Sequence, residues 1–199
     1  MQKAKKKHSV FSFIASWKKA PENYKRLCFG LLLFALFNGS DIFLLLRMKE
    51  IGGSDSAVIR IYIFYNIIYA LASYPLGFVA DKIGLKKVLV GGMLLFSLVY
   101  AGMGLISDPA VIYILFALYG IYSAATEGIS KAWISNLVPK NETATAVGNF
   151  TALQSIFIML ASMITGLTWF LFNAPAALVL SASAALLGAV YISIAVKEK

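Results

Sequence analysis

The sequence predicts an all-α membrane protein with six transmembrane helices, and three observations carry that prediction. Of 199 residues, 60% are apolar and only 14% are charged, against roughly 25% charged in an ordinary soluble domain. That leaves too little polar surface to cover a soluble globule of this size. Six windows also reach the ~20 apolar residues that a helix needs to cross a hydrocarbon core of ~30 Å. Finally, fifteen of the eighteen Lys and Arg residues fall on one side of those windows, as they do in chains oriented by cytoplasmic positive charge.

Residues 1–26 form a basic tail. Within it Val10, Ile14 and Trp17 fall at i, i+4 and i+7 between lysines, which suits a helix lying on an anionic leaflet. A basic linker is the other reading, and both stay open. The spans follow at about 27–46, 57–80, 88–106, 110–137, 146–170 and 176–196. Short breakers separate them: Gly52-Gly53-Ser54, the stretch 82–87, Ser107-Asp108-Pro109, the stretch 139–142 and Asn173-Ala174-Pro175. In lipid every backbone polar group must be satisfied within its own segment, so spans of this length are helices. The ~10-residue alternating strands of a barrel are not visible.

Charge then sets orientation. The tail holds eight basic residues. Lys82, Lys86 and Lys87 follow the second span, Lys131 and Lys140 lie around the end of the fourth, and Lys197 and Lys199 close the chain. Arg47, Lys49 and Arg60 occupy the opposite side. Both termini are therefore expected in the cytoplasm, with the chain in a plasma (inner) membrane. The net charge of +9 is explained by topology and implies no nucleic-acid partner. Cys28 stands alone, which excludes a disulfide framework and a multi-cysteine zinc site. His8 stands alone in the tail, so no metal cluster and no Ser-His-Asp set assembles. With no Walker or Rossmann glycine pattern either, the expectation is no cofactor, no metal and no enzyme activity.

The most specific local pattern joins the second and third spans: Gly77, Asp81, Lys82, Gly84, Lys86 and Lys87. A carboxylate ends one helix, glycine turns the chain, and two lysines open the next helix at the cytoplasmic edge. This stretch resembles the G-x-x-x-D-[RK]-x-G-[RK]-[RK]-[RK] signature between the second and third helices of each half of major facilitator superfamily transporters. Leu85 departs from it, standing where many members carry another basic residue. The runs Asn38-Gly39-Ser40-Asp41 to Arg47 and Tyr119-Gly120 to Ala132 resemble a seventh and a tenth helix of that family, with less specificity.

Members of that family usually have twelve helices in two six-helix halves. The resemblance therefore implies a C-terminal half, residues 27–199, preceded by a tail like the central inter-half loop. It also implies a secondary transporter that moves a small solute, with or without a coupling ion, by alternating access at a midplane site. The missing wall would come from a second six-helix half or from a homodimer partner, within the lipid bilayer. A non-transporting membrane scaffold or regulatory subunit is the alternative.

Charged residues inside spans default to functional candidates. Asp41, beside Asn38, reads either as a proton or cation site or as the partner of Arg60 in a structural salt bridge. Glu127 and Lys131, at i and i+4 in the favourable order, read as a proton-responsive carboxylate whose partner changes during transport or as a cytoplasmic-gate ion pair, with or without Asp81. Tyr62, Asn66 and Tyr69 share one face of the second span. Gln154, with Thr151 and Ser155, gives the fifth a polar face. These groups suit a substrate, and equally suit helix packing.

Overall fold

The computed structural model describes residue 17 and residues 20–197. Most of the basic tail, including His8, Val10 and Ile14, lies outside the described residues, as does Lys199. The described chain is helical throughout its ordered elements: α1 (Glu22–Ala35), α2 (Ile42–Glu50), α3 (Asp55–Ile83), α4 (Leu85–Leu105), α5 (Pro109–Asn136), α6 (Thr143–Leu171) and α7 (Ala174–Ala195). Among the described residues, the five helices α3 to α7 are long and apolar enough to cross a membrane.

The first expected span is the exception. The sequence predicts one helix over 27–46; the chain instead forms α1 and α2, with residues 36–41 non-helical between them. Asn38, Gly39, Ser40 and Asp41 are weak helix formers whose short polar side chains compete for the backbone. They find partners on other helices. The Ser40 amide donates to Ser162 Oγ at 3.2 Å, and Asn38 Nδ2 donates to the Tyr122 hydroxyl at 2.7 Å. Irregular backbone at membrane depth is tolerated where it is buried in protein or lines a cavity, and this break does the latter.

Local signals place the other ends. Ser54 caps α3 by accepting from the Ala57 amide, Asp108 caps α5 by accepting from Ala110 and Val111, and Asn173 caps α7 by accepting from Ala176. Each satisfies amides that a helix N-terminus leaves free. Between α3 and α4 the turn is one residue, Gly84, at φ +105°, a conformation that side chains rarely adopt.

The closest pairings are α4 with α7, α3 with α5, and α4 with α5. Small residues permit them, as membrane helix packing requires. Ser97 on α4 donates to the Ala182 carbonyl of α7 at 2.7 Å. On α5, a Cβ at Gly120 would stand 2.6 Å from the Tyr65 carbonyl oxygen of α3. By contrast α3 and α6 are barely covered. Only 11% and 17% of their most apolar windows are buried, against 50–56% for α4, α5 and α7.

Polar networks mark the two ends of the bundle. At one, Asn23 pairs reciprocally with the backbone of Lys197, and Lys86 Nζ donates to the Val196 carbonyl at 2.7 Å. At the other, Arg47 donates to the Met103 carbonyl at 3.0 Å and pairs with Glu50, which accepts from Trp169 Nε1 at 3.1 Å. That second network fastens α2 to the ends of α4 and α6.

Candidate functional site

A cavity of about 500 Å³ opens beside the break between α1 and α2. Its walls come from α1, the break, α3, α4, α5 and α6. Most of the lining residues on α3, α5 and α6 sit near the middle of their helices, so the cavity lies about halfway through the bundle. Asn38, Asp41, Asn66, Glu127, Lys131 and Gln154 all line it. Sequence positions 38 to 154 thus converge on one space.

The geometry of the charged groups differs from the sequence expectation at two points. Asp41 makes no salt bridge with Arg60. The ion pairs among the described residues are Lys25–Glu22, Arg26–Glu22, Arg47–Glu50 and Lys49–Asp55. Asp41 instead accepts from the Tyr65 hydroxyl, with Ser40 Oγ at 3.4 Å from its other oxygen. The reason is helical phase. Arg60 precedes Tyr65 by five residues, about 140° around an ideal helix, so one faces the cavity while the other is exposed.

Glu127 likewise makes no ion pair with Lys131, four residues on. Its carboxylate accepts from the Tyr69 hydroxyl at 3.0 Å. Tyr65 and Tyr69 are themselves one turn apart on α3. That helix therefore offers two hydroxyls in succession, one to a carboxylate at the start of α2 and one to a carboxylate on α5. Exposed i, i+4 ion pairs contribute little, and α3 instead offers each carboxylate a tyrosine hydroxyl, part-buried at Asp41 and exposed at Glu127.

The remaining polar groups are held in place. Asn66 Nδ2 donates to the Tyr62 carbonyl at 2.8 Å. Thr126 and Ser130 on α5 donate to carbonyls one turn back, at 3.0 and 3.1 Å. Gln154 lines the opposite wall from α6, while Ser155 bonds the Thr151 carbonyl of the same helix. Gly39 seats the break tightly against α6: a Cβ there would stand 2.8 Å from Thr165 Oγ1.

Sequence reasoning missed most of the aromatic wall. Tyr65, Tyr119 and Tyr122 are buried and line the cavity. Tyr65 meets Tyr119 at 5.3 Å between ring centroids, and Tyr119 meets Tyr122 at 5.3 Å. Behind them Phe96 stacks on Tyr100 at 3.9 Å. The signal was available: 62, 65 and 69 on one helix, and 116, 119 and 122 on another, are aromatic at i, i+3 or i+4 spacing.

The loop residues lie apart from the cavity, at the Gly84 end. Asp81 is exposed, and Lys82 Nζ sits 4.4 Å from the Phe78 ring centroid. Lys86 caps the end of α7, and Lys87 is exposed. Gly77 faces open space.

Comparison with known proteins adds two findings. The family model described as Major Facilitator Superfamily matches residues 27–199. An uncharacterized MFS-type transporter of Methanocaldococcus jannaschii is 34% identical over 174 residues, covering 84% of this chain and 44% of that protein. The chain thus spans less than half the length of the curated relative it matches.

Proposed function

We propose that this chain, which belongs to the major facilitator superfamily, acts as one six-helix half of a secondary transporter moving a small solute by alternating access. It is an integral, multi-pass membrane protein. In this reading α1 and α2 together make the first, broken span, and α3 to α7 make the other five.

The observation that carries the proposal is the mid-bundle cavity, lined by polar and charged groups and flanked by the two least-buried helices, α3 and α6. Family transporters bind solute between halves. A wall carrying Asp41, Glu127 and Lys131 is costly to leave against hydrocarbon. A second six-helix body, from a first half or from another copy, would cover it. The clustering of Lys82, Lys86, Lys87 and Lys197 at one end favours that end, and both termini, on the cytoplasmic side of a plasma membrane. A transmembrane gradient would drive the cycle, and the basic residues 1–26 would serve as the tether to the bundle at 27–199.

A cysteine at Ser123, in a Cys28→Ala background, tests the alternating-access part of this without knowledge of the solute. Ser123 lines the cavity and is partly exposed. An impermeant maleimide should reach it from either face of the membrane in a paired assembly. Verified single chains, sized by detergent-corrected mass, should show no solute uptake in vesicles. Access from one face only, in every assembly, overturns alternating access; robust uptake by single chains overturns the half-transporter reading.

A further inference from the structure

We infer that the cavity takes an organic cation: a substituted ammonium group carried on a small apolar body. The inference deepens the transporter reading and rests on it, since it takes the cavity to be the solute site.

Hydrogen-bond accounting points first in this direction. Several donors on the wall are already used internally. Tyr65 and Tyr69 give their hydroxyl protons to Asp41 and Glu127. Asn38 and Asn66 each give an amide proton to a neighbouring oxygen. Thr126 and Ser130 donate to their own helix. At the Asp41 end acceptor capacity remains, because a carboxylate has about four lone-pair sites and Asp41 receives only the Tyr65 and Ser40 hydroxyls. A ligand rich in N–H donors completes such a wall. Donors line the cavity too, the Lys131 ammonium and the Gln154 amide among them, so the choice of ligand class falls to the charge and the aromatic wall.

Charge agrees. Two carboxylates and one ammonium line the cavity. Lys131 lies on the same helix as Glu127, one turn further along, and offsets it locally. Asp41 is in no ion pair among the described residues, and Arg60 is not part of the lining. The uncompensated negative charge therefore sits at the Asp41 end of the cavity.

The aromatic wall stands at that same end. Tyr62, 46% exposed, meets Tyr65 edge-on at 5.5 Å and 89°, and Tyr119 and Tyr122 continue the wall. A cation within ~6 Å of an aromatic centroid is attracted by the ring's negative face, most strongly where water is excluded. A tyrosine that donates its hydroxyl proton to a carboxylate gains electron density in the ring, which strengthens that attraction. Leu31, Phe34, Leu89, Met93 and Ile158 supply the apolar remainder of the lining, suited to the body of the ligand.

The test compares three probes of one shape and different charge: benzylammonium, phenylacetate and benzyl alcohol. Saturation-transfer NMR on the full chain in nanodiscs at neutral pH gives their dissociation constants. Benzylammonium should bind at least about tenfold tighter than either other probe. Asp41→Asn should weaken it about tenfold, as loss of one charged hydrogen bond implies, and Glu127→Gln should weaken it less. Arg60→Gln, outside the cavity, should leave it unchanged. Should Asp41→Asn fail to fold, the three-probe comparison on the native chain still decides.

Equal or tighter binding of phenylacetate, no binding of any probe by folded chain, or unchanged affinity in both carboxylate variants overturns the inference. Phenylacetate binding with two-sided Ser123→Cys labelling would remove the cation class and leave the transporter reading standing. One-sided labelling with tight benzylammonium binding would do the reverse.

Discussion

Replacing Gly120 with alanine should pry α3 away from α5 and disturb the site at a distance from any ligand contact. The added Cβ would stand 2.6 Å from the Tyr65 carbonyl oxygen and 3.0 Å from Ile68 Cβ. Neither neighbour is the free end of a flexible side chain, so rotamer adjustment gives no relief. An ordinary contact of about 3.4 Å requires α3 to retreat by about 0.8 Å, and overpacking of this kind costs ~1–3 kcal/mol. Alanine also gains ~1 kcal/mol of intrinsic helix preference over glycine, which offsets part of that cost. Gly128→Ala on the same helix isolates the offset, because nothing lies within 4 Å of its Cβ position. Reversible unfolding in mixed micelles should therefore show Gly120→Ala less stable than Gly128→Ala by roughly 1–3 kcal/mol. Because Tyr65 and Tyr69 ride on α3, the displaced helix should also loosen their bonds to Asp41 and Glu127, seen as faster maleimide labelling of Ser123→Cys. Equal stability of the two variants would show that the α3–α5 approach is not set by this contact.

Two further outcomes follow from the loop at Gly84. A cysteine replacing the exposed Lys87, in a Cys28→Ala background, should be labelled by impermeant reagent only after the cytoplasmic face is opened; labelling in intact cells would invert the proposed topology. Asp81→Asn should insert and fold normally yet lower solute flux severalfold, because in the proposed paired assembly the exposed Asp81 would face a helix N-terminus of the second half, and an amide does not replace an anion there, an effect of ~0.3–2 kcal/mol. Native flux from a folded Asp81→Asn protein would reduce the motif to a turn that directs insertion.

The helices from 55 onward were legible because a membrane span is a long-wavelength signal. Some twenty apolar residues bounded by Gly84, Ser107-Asp108-Pro109 or Asn173 leave little choice of element, and the caps at Ser54, Asp108 and Asn173 sit where the breakers stand. The first span was misread for the same reason. Its hydropathy runs unbroken from 27 to 46, since Asn38, Gly39, Ser40 and Asp41 are too few to interrupt a twenty-residue average. The weak helix formers permit the break, and what completes it lies outside the span. Ser162 and Thr165 on α6 and Tyr122 on α5 supply the bonds and the close approach that a continuous helix would forgo.

The site was legible as a set of residues and illegible as a set of bonds. Asn38, Asp41, Asn66, Glu127, Lys131 and Gln154 stood out because polar groups at membrane depth are expensive, and a high cost narrows the candidates whatever the fold. Their partners carry no such mark. Charge complementarity offered Arg60 to Asp41 and Lys131 to Glu127, each as one of two readings. In the folded chain both carboxylates turn to tyrosine hydroxyls instead, and tyrosine is nearly invisible to a hydropathy or charge argument because its ring packs like any other apolar surface. Only its helical phase distinguishes Tyr65 from Tyr74, which lies exposed on the same helix. Phase alone does not say which neighbour α3 will meet. That depends on Gly120, whose missing Cβ brings the Tyr65 backbone against α5 and Tyr69 within 3.0 Å of Glu127. Helical phase thus selects Tyr65 over Arg60 for Asp41, and the close α3–α5 approach at Gly120 accompanies the bond from Tyr69 to Glu127.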